Sequence, residues 1–130
     1  MISYSNLSLL LSVMHIYEPV PQYYSRLEKV WGEHVKTNNW TVETLQYGLG
    51  DVTKTIFLSE ADLQGQGTFG MEDTGGDGGE KIKLEIVEAS EVFNNVTGGA
   101  DLELFHANCE GCEYEMLENI ISTNLHKKIK

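Results

Sequence analysis

The chain has two prolines, and they stand together as Pro19 and Pro21. Directly before them lies the apolar run Met14-His15-Ile16-Tyr17. After them Tyr24, Leu27, Val30, Trp31 and Val35 recur at steps of mainly three or four residues. Proline fixes φ and lacks an N–H, so it stops a strand and suits the first turn of a helix. The pattern predicts a short buried strand over 14–17, a turn beginning at Glu18, and an amphipathic helix from Pro21 to about Val35. A strand that runs into a helix calls for a parallel neighbour, because a crossover of this kind returns the chain to the same end of a sheet.

The rest of the chain continues the alternation. Asn38-Asn39 breaks the helical pattern, and Trp40 to Tyr47 alternates apolar and polar residues as a strand does. Gly48-Leu49-Gly50-Asp51 reads as a turn. Val52–Ser59 is a strand rich in β-branched and aromatic residues, and Lys81–Glu88 is another, with Ile82, Leu84 and Ile86 on one side. A short helix over Ser90–Val96 is closed by Gly98-Gly99. Leu102–Ala107 reads as a strand, and Glu113–Leu125 as a helix with Met116, Leu117, Ile120 and Ile121 facing inward. A further short helix is expected over Ser5–Ser12, behind the N-cap residues Ser3 and Ser5. Strands alternating with helices predict an α/β fold: a mainly parallel sheet with helices on both faces. At 130 residues and 41% hydrophobic the chain suits one domain with one core. The acidic, glycine-rich stretch from 64 to 80 is expected to be a flexible surface loop.

Charge removes several functions. With 9 basic residues against 20 acidic ones and a net charge of -11, no phosphate-binding surface can be assembled, so nucleic acid is excluded. The basic run Lys127-Lys128-Ile129-Lys130 is a solvated end. No run approaches the ~20 apolar residues of a membrane span. The apolar stretch Asn6–Met14 lacks the basic flank and cleavage site of a signal peptide, which favours a cytoplasmic location. Cys109 and Cys112 form a single Cys-x-x-Cys without a second pair, too few ligands for zinc. They are expected to be reduced and metal-free, as small residues at a strand-to-helix junction. Gly65-Gln66-Gly67-Thr68-Phe69-Gly70 matches a dinucleotide fingerprint in letters only, since no strand precedes it and no helix follows. Asp73, Asp77 and Glu80 miss the spacing of a calcium loop.

Two polar strand ends carry the chemistry. Glu18 follows a buried strand at the carboxyl edge of the predicted sheet, the edge where open α/β sheets bind ligands. A carboxylate there can accept hydrogen bonds from vicinal hydroxyls; it also suits the start of a helix as a dipole partner. The second end is Phe105-His106-Ala107-Asn108-Cys109-Glu110-Gly111-Cys112-Glu113. Asn108, Glu110 and Glu113 gather within six positions, where carboxylates can orient a hydroxyl or take its proton. Glu110 and Glu113 equally suit the first turn of a helix.

At these residues the chain resembles the FkbM-type methyltransferases, a Rossmann-like class. His15-Ile16-Tyr17-Glu18-Pro19-Val20-Pro21, with Tyr24 and Leu27, is similar to the family's second strand and its EP-x-P turn. Leu104–Leu117 is similar to its fourth strand and the D-V-E-G-x-E motif. Leu45–Asp51 resembles its third strand, and Val52–Ser59 with Lys81–Glu88 its hairpin-like insertion. The resemblance covers about 14–125. It implies S-adenosylmethionine as cofactor and a hydroxyl or amine of a small molecule or glycan as acceptor. Glu18 would take the ribose hydroxyls, Leu49, Gly50 and Asp51 would lie near the adenine, and Asn108, Glu110 and Glu113 would border the methyl-transfer region.

The chain departs from that family at two points. Asn108 stands where the family has aspartate, and His106 where it often has lysine; an amide cannot serve as a base. Residues 1–13 contain no glycine-rich loop of the kind that holds the methionine part of the cofactor. The chain therefore reads as a methyltransferase fragment that does not catalyse by itself. The other reading is a non-catalytic α/β binding or scaffold domain.

Overall fold

The computed structural model describes residues 13–38, 41–59, 80–107 and 112–130. The helix expected over Ser5–Ser12, the loop residues 64–79 with the Gly65–Gly70 match, and Asn108, Cys109 and Glu110 lie outside the described residues. The chain divides into two compact units, Met1–Gln46 and Tyr47–Lys130.

In the first unit, strand β1 (Val13–Tyr17) leads through Glu18–Val20 into helix α1 (Pro21–Asn38) and returns as β2 (Thr41–Leu45). The two strands pair in parallel, with Val13 opposite Thr41 and Tyr17 opposite Leu45. The ladder continues one step beyond β1, where the Glu18 N–H donates to the Leu45 carbonyl at 3.0 Å. Pro21 takes the first helical position, where its missing N–H costs nothing. The first helical bond follows at once, from Tyr24 N–H to the Val20 carbonyl at 2.8 Å. Tyr24, Leu27, Trp31 and Val35 form the half-buried stripe of α1, as the spacing predicts. Val30 does not join it and is 48% exposed, because it sits about 100° around the helix from Trp31.

The second unit is built on β5 (Lys81–Glu88), the central strand of a three-stranded sheet. β4 (Lys54–Ser59) pairs with it antiparallel and β3 (Gly48–Gly50) parallel. Alternation is clean: Ile56 and Leu58 on β4 and Leu84 and Ile86 on β5 are buried, while Thr55, Phe57, Lys83 and Glu85 are exposed. β5 passes directly into α2 (Ala89–Thr97), which ends at Gly98 in the left-handed region with φ 57°. The core joins Ala89 and Phe93 of α2 to Met116 and Ile120 of α3 (Glu113–Ser122) and to Leu125.

Four expectations are corrected. Gly48–Gly50 is a strand: it is too short to show a period, but two glycines bring the backbone close beside Ile86–Glu88. Leu102–Ala107 is not a strand. Among the described residues it makes a single isolated bridge, Leu102 with Ile129, and Leu104 is 78% exposed. An apolar alternating run becomes a strand only where a neighbouring backbone is present to pair with it. The helix begun at Glu113 ends at Ser122, not Leu125. Asn124 adopts φ 61°, a conformation that asparagine tolerates, and a 3-10 turn follows over Leu125–Lys128. Along α3, Met116 and Ile120 face the core, whereas Leu117 and Ile121 are exposed. The described strands form two small, partly parallel sheets in a mixed α/β chain. Among the described residues no helix is long and apolar enough to cross a membrane.

The packing predicts a sharp contrast in urea denaturation. Leu58→Ala removes a fully buried side chain on β4, beside β5, and is expected to cost about 2–5 kcal/mol. Val30→Ala, on the open side of α1, should stay within about 0.5 kcal/mol. Equal losses for the two would overturn the assignment of the core.

Candidate functional site

Glu18 lies half-buried at the carboxyl end of β1, between the strand and the proline turn. Its Oε1 accepts a hydrogen bond from the Val20 N–H at 2.8 Å, which aims the carboxylate from a backbone held by Pro19 and Pro21. Burial pushes its pKa up, and the Val20 N–H only partly offsets this. A groove of about 210 Å³ in the same unit is lined by Glu28, Trp31, Gly32, Val35, Val42 and Thr44. It shares no residue with the predicted site, and Glu28 Oε1 already accepts from the Tyr24 hydroxyl at 2.8 Å.

The remaining described site residues belong to the second unit. Leu49 and Gly50 lie in β3, and Asp51 follows at its carboxyl end, beside the carboxyl end of the parallel strand β5. Glu113 opens α3, half-buried, with Glu115 in the same first turn. Two acids there complement the positive end of the helix dipole. Asn108 and Glu110 are outside the described residues.

The structure adds a polar cluster at this edge that the sequence reading missed. Asn119, on α3, donates from Nδ2 to the Asp51 carbonyl at 3.0 Å and to Glu88 Oε1 at 3.2 Å. Its Oδ1 accepts from the Ser90 N–H at 2.8 Å. The Ser90 hydroxyl donates to Glu88 Oε1 at 2.5 Å. Lys54 Nζ lies 2.9 Å from Glu115 Oε2 and 3.6 Å from Asp51 Oδ1. That Asp51 oxygen is buried and accepts no hydrogen bond among the described residues. Burial pulls the Lys54 ammonium down, but the carboxylates of Glu115 and Asp51 outweigh it and hold its pKa above the ordinary value. The hydrogen bonds from Ser90 and then Asn119 hold the Glu88 carboxyl below the ordinary value.

Glu88 had a readable signal: like Glu18, it is an acid ending an apolar alternating strand just before a helix. Asn119 had none that pointed to a role, because an asparagine inside a helix is merely disfavoured until its partners are known. Cys112 is disulfide-bonded, which corrects the expectation of reduced thiols. No group of three or more histidine, cysteine, aspartate or glutamate side chains among the described residues is placed to hold a metal ion.

Comparison of the chain with protein-family models, with curated proteins and with solved structures finds no match.

The two strand-end glutamates should titrate with opposite consequences. Glu88 has a lowered pKa, so its ionised form stabilises the fold above about pH 4.3, and that contribution is lost as pH falls through the lowered value. Glu18 has a raised pKa, so its contribution is full below about pH 4.3 and is lost as pH rises through the raised value. Carboxyl carbon NMR titration is expected to place the Glu18 midpoint above that of a free glutamate and the Glu88 midpoint below it. Ser90→Ala should move the Glu88 midpoint upward. A Glu18 midpoint at or below the free value would contradict its burial.

Proposed function

We propose that this chain is the central part of an S-adenosylmethionine-dependent methyltransferase of the FkbM type, with a Rossmann-like arrangement and helices on both sheet faces in the whole protein. The observation that carries the reading is Glu18: a half-buried carboxylate at the carboxyl end of a parallel strand, aimed by the Val20 amide and a proline-fixed turn. It has the chemistry that vicinal ribose hydroxyls require, since they donate and an ionised carboxylate only accepts.

In this reading Leu49 and Gly50 offer an apolar side chain and an open backbone to the flat face of adenine, with Asp51 at its polar edge. Asn108, Glu110 and Glu113 border the acceptor, a hydroxyl or amine of a small molecule or glycan. The acidic field suits a neutral or cationic acceptor better than a polyanion. The cofactor supplies an electrophilic methyl group on a sulfonium; the protein's task is to hold the adenosine end, orient the acceptor and receive its proton. Glu110 and Glu113 are the carboxylates available for that last step, because Asn108 has no basic lone pair on its amide nitrogen. Asn108 also supports the second reading, a binding or scaffold domain with the same topology and no transfer.

Residues 1–13 offer no glycine-rich turn to the methionine end of the cofactor, so binding by this chain is expected to be weaker than micromolar. Titration of the chain with S-adenosylhomocysteine, followed by amide NMR, should perturb Glu18 and Asp51. Glu18→Ala should weaken binding at least about tenfold, equivalent to ~1.4 kcal/mol, the lower edge of what hydrogen bonds to a charged group contribute. A micromolar site indifferent to Glu18→Ala, or no perturbation at millimolar ligand, would sink the proposal.

A further inference from the structure

Glu115 and Asn119 are four residues apart on α3, so they lie on one face of the helix, one turn from each other. Both reach the same short segment. Asn119 holds the Asp51 carbonyl directly, at 3.0 Å. Glu115 holds Lys54, whose ammonium faces the Asp51 carboxylate from 3.6 Å. Asp51 is thus gripped at its backbone and at its side chain from a single helix face.

The Asn119 grip is the stiffer of the two. Its carboxamide is committed at Oδ1 to the Ser90 N–H and at Nδ2 to the Asp51 carbonyl and Glu88 Oε1. Those partners lie at the start of α2, after the end of β3 and at the end of β5. A side chain anchored to three segments has little rotamer freedom left, so displacement of α3 is passed to the Asp51 backbone without slack. An ion pair through the flexible lysine stem cannot do this.

We propose that Asn119 is a positioning residue for purine recognition: by fixing the Asp51 backbone against α3, it sets the carboxylate of Asp51 to accept from a 6-amino group. The proposal rests on the reading of Leu49–Asp51 as the adenine side of the site. An ionised carboxylate has acceptors only, so a 6-amino purine suits it and a 6-oxo purine sets acceptor against acceptor. The selectivity depends on where the carboxylate stands, and therefore on the residue that holds its backbone.

The test compares binding of S-adenosylhomocysteine and its 6-oxo counterpart, S-inosylhomocysteine, to the full chain by ligand-observed NMR, which reads millimolar affinities. The unsubstituted chain is expected to prefer the 6-amino ligand about tenfold. Asn119→Ala should reduce that preference at least fivefold at a temperature where circular dichroism shows it folded. Leu84→Ala, a core change on β5, should lower the melting temperature and leave the preference intact, which a merely structural role for Asn119 would also predict for Asn119→Ala. If Asn119→Ala does not fold, the Asn119 side-chain amide signals of the unsubstituted chain give the second reading. They should shift on saturation with the 6-amino ligand and less with the 6-oxo one; equal shifts overturn the proposal. If Asp51→Ala loses the preference and Asn119→Ala keeps it, the positioning role is wrong and the adenine assignment stands. If Asp51→Ala keeps the preference, or neither ligand binds, the adenine assignment is wrong and the proposal goes with it.

Discussion

The second unit depends on the hydrogen bonds of one side chain, the Asn119 carboxamide. A helix begins with backbone N–H groups that have no partner within the helix, and a side chain just before it usually supplies one. Glu88 stands in that place at the start of α2 but makes no capping bond to the helix backbone. The Ser90 N–H is satisfied instead by Asn119, from another helix. The same carboxamide then takes up the Asp51 carbonyl and shares the Glu88 carboxylate with the Ser90 hydroxyl. A cap supplied at long range does two things at once: it completes α2, and it ties α3 to the carboxyl ends of β3 and β5.

The first unit reaches a similar end by local means. Glu18 is aimed by an amide two residues away and by prolines on either side of that amide. Nothing distant is needed to orient its carboxylate, beyond the parallel neighbour that β2 provides and the bond from the Glu18 N–H to Leu45. The two strand-end glutamates consequently have opposite electrostatics. Glu18 is desolvated, with one amide to compensate, and its charged form is disfavoured. Glu88 accepts from two side chains, and its charged form is favoured. Position at a strand end is common to both; the neighbours decide the proton.

The elements that the sequence reading recovered are those whose reason for existing is local. The stop at Pro19-Pro21, the stripe Tyr24, Leu27, Trp31 and Val35, the alternation of β4 and β5, and the glycine that closes α2 each follow from side-chain period or backbone freedom at the residues themselves. The failures concern partners. Gly48–Gly50 has no period to read, and is a strand because β5 lies alongside it. Leu102–Ala107 has the period of a strand, but among the described residues its only bridge is that of Leu102 with Ile129. Leu117 and Ile121 belong to the apolar content of α3, yet only Met116 and Ile120 are turned to the core.

The same division runs through the candidate site. By itself the sequence determined that an acid ends the first strand, that a rigid turn follows it, and that the field around it is negative, because those properties belong to residue type and spacing. It also carried the resemblance that makes Glu18, Leu49, Gly50, Asp51, Asn108, Glu110 and Glu113 candidates. Only the tertiary structure decided that Asp51 is held by Asn119 and faced by Lys54, that Glu88 joins the cluster, and that Cys112 is oxidised. A hydrogen bond between residues 68 positions apart leaves no trace in either local pattern, since each partner is an ordinary polar residue until the fold brings the two to 3.0 Å.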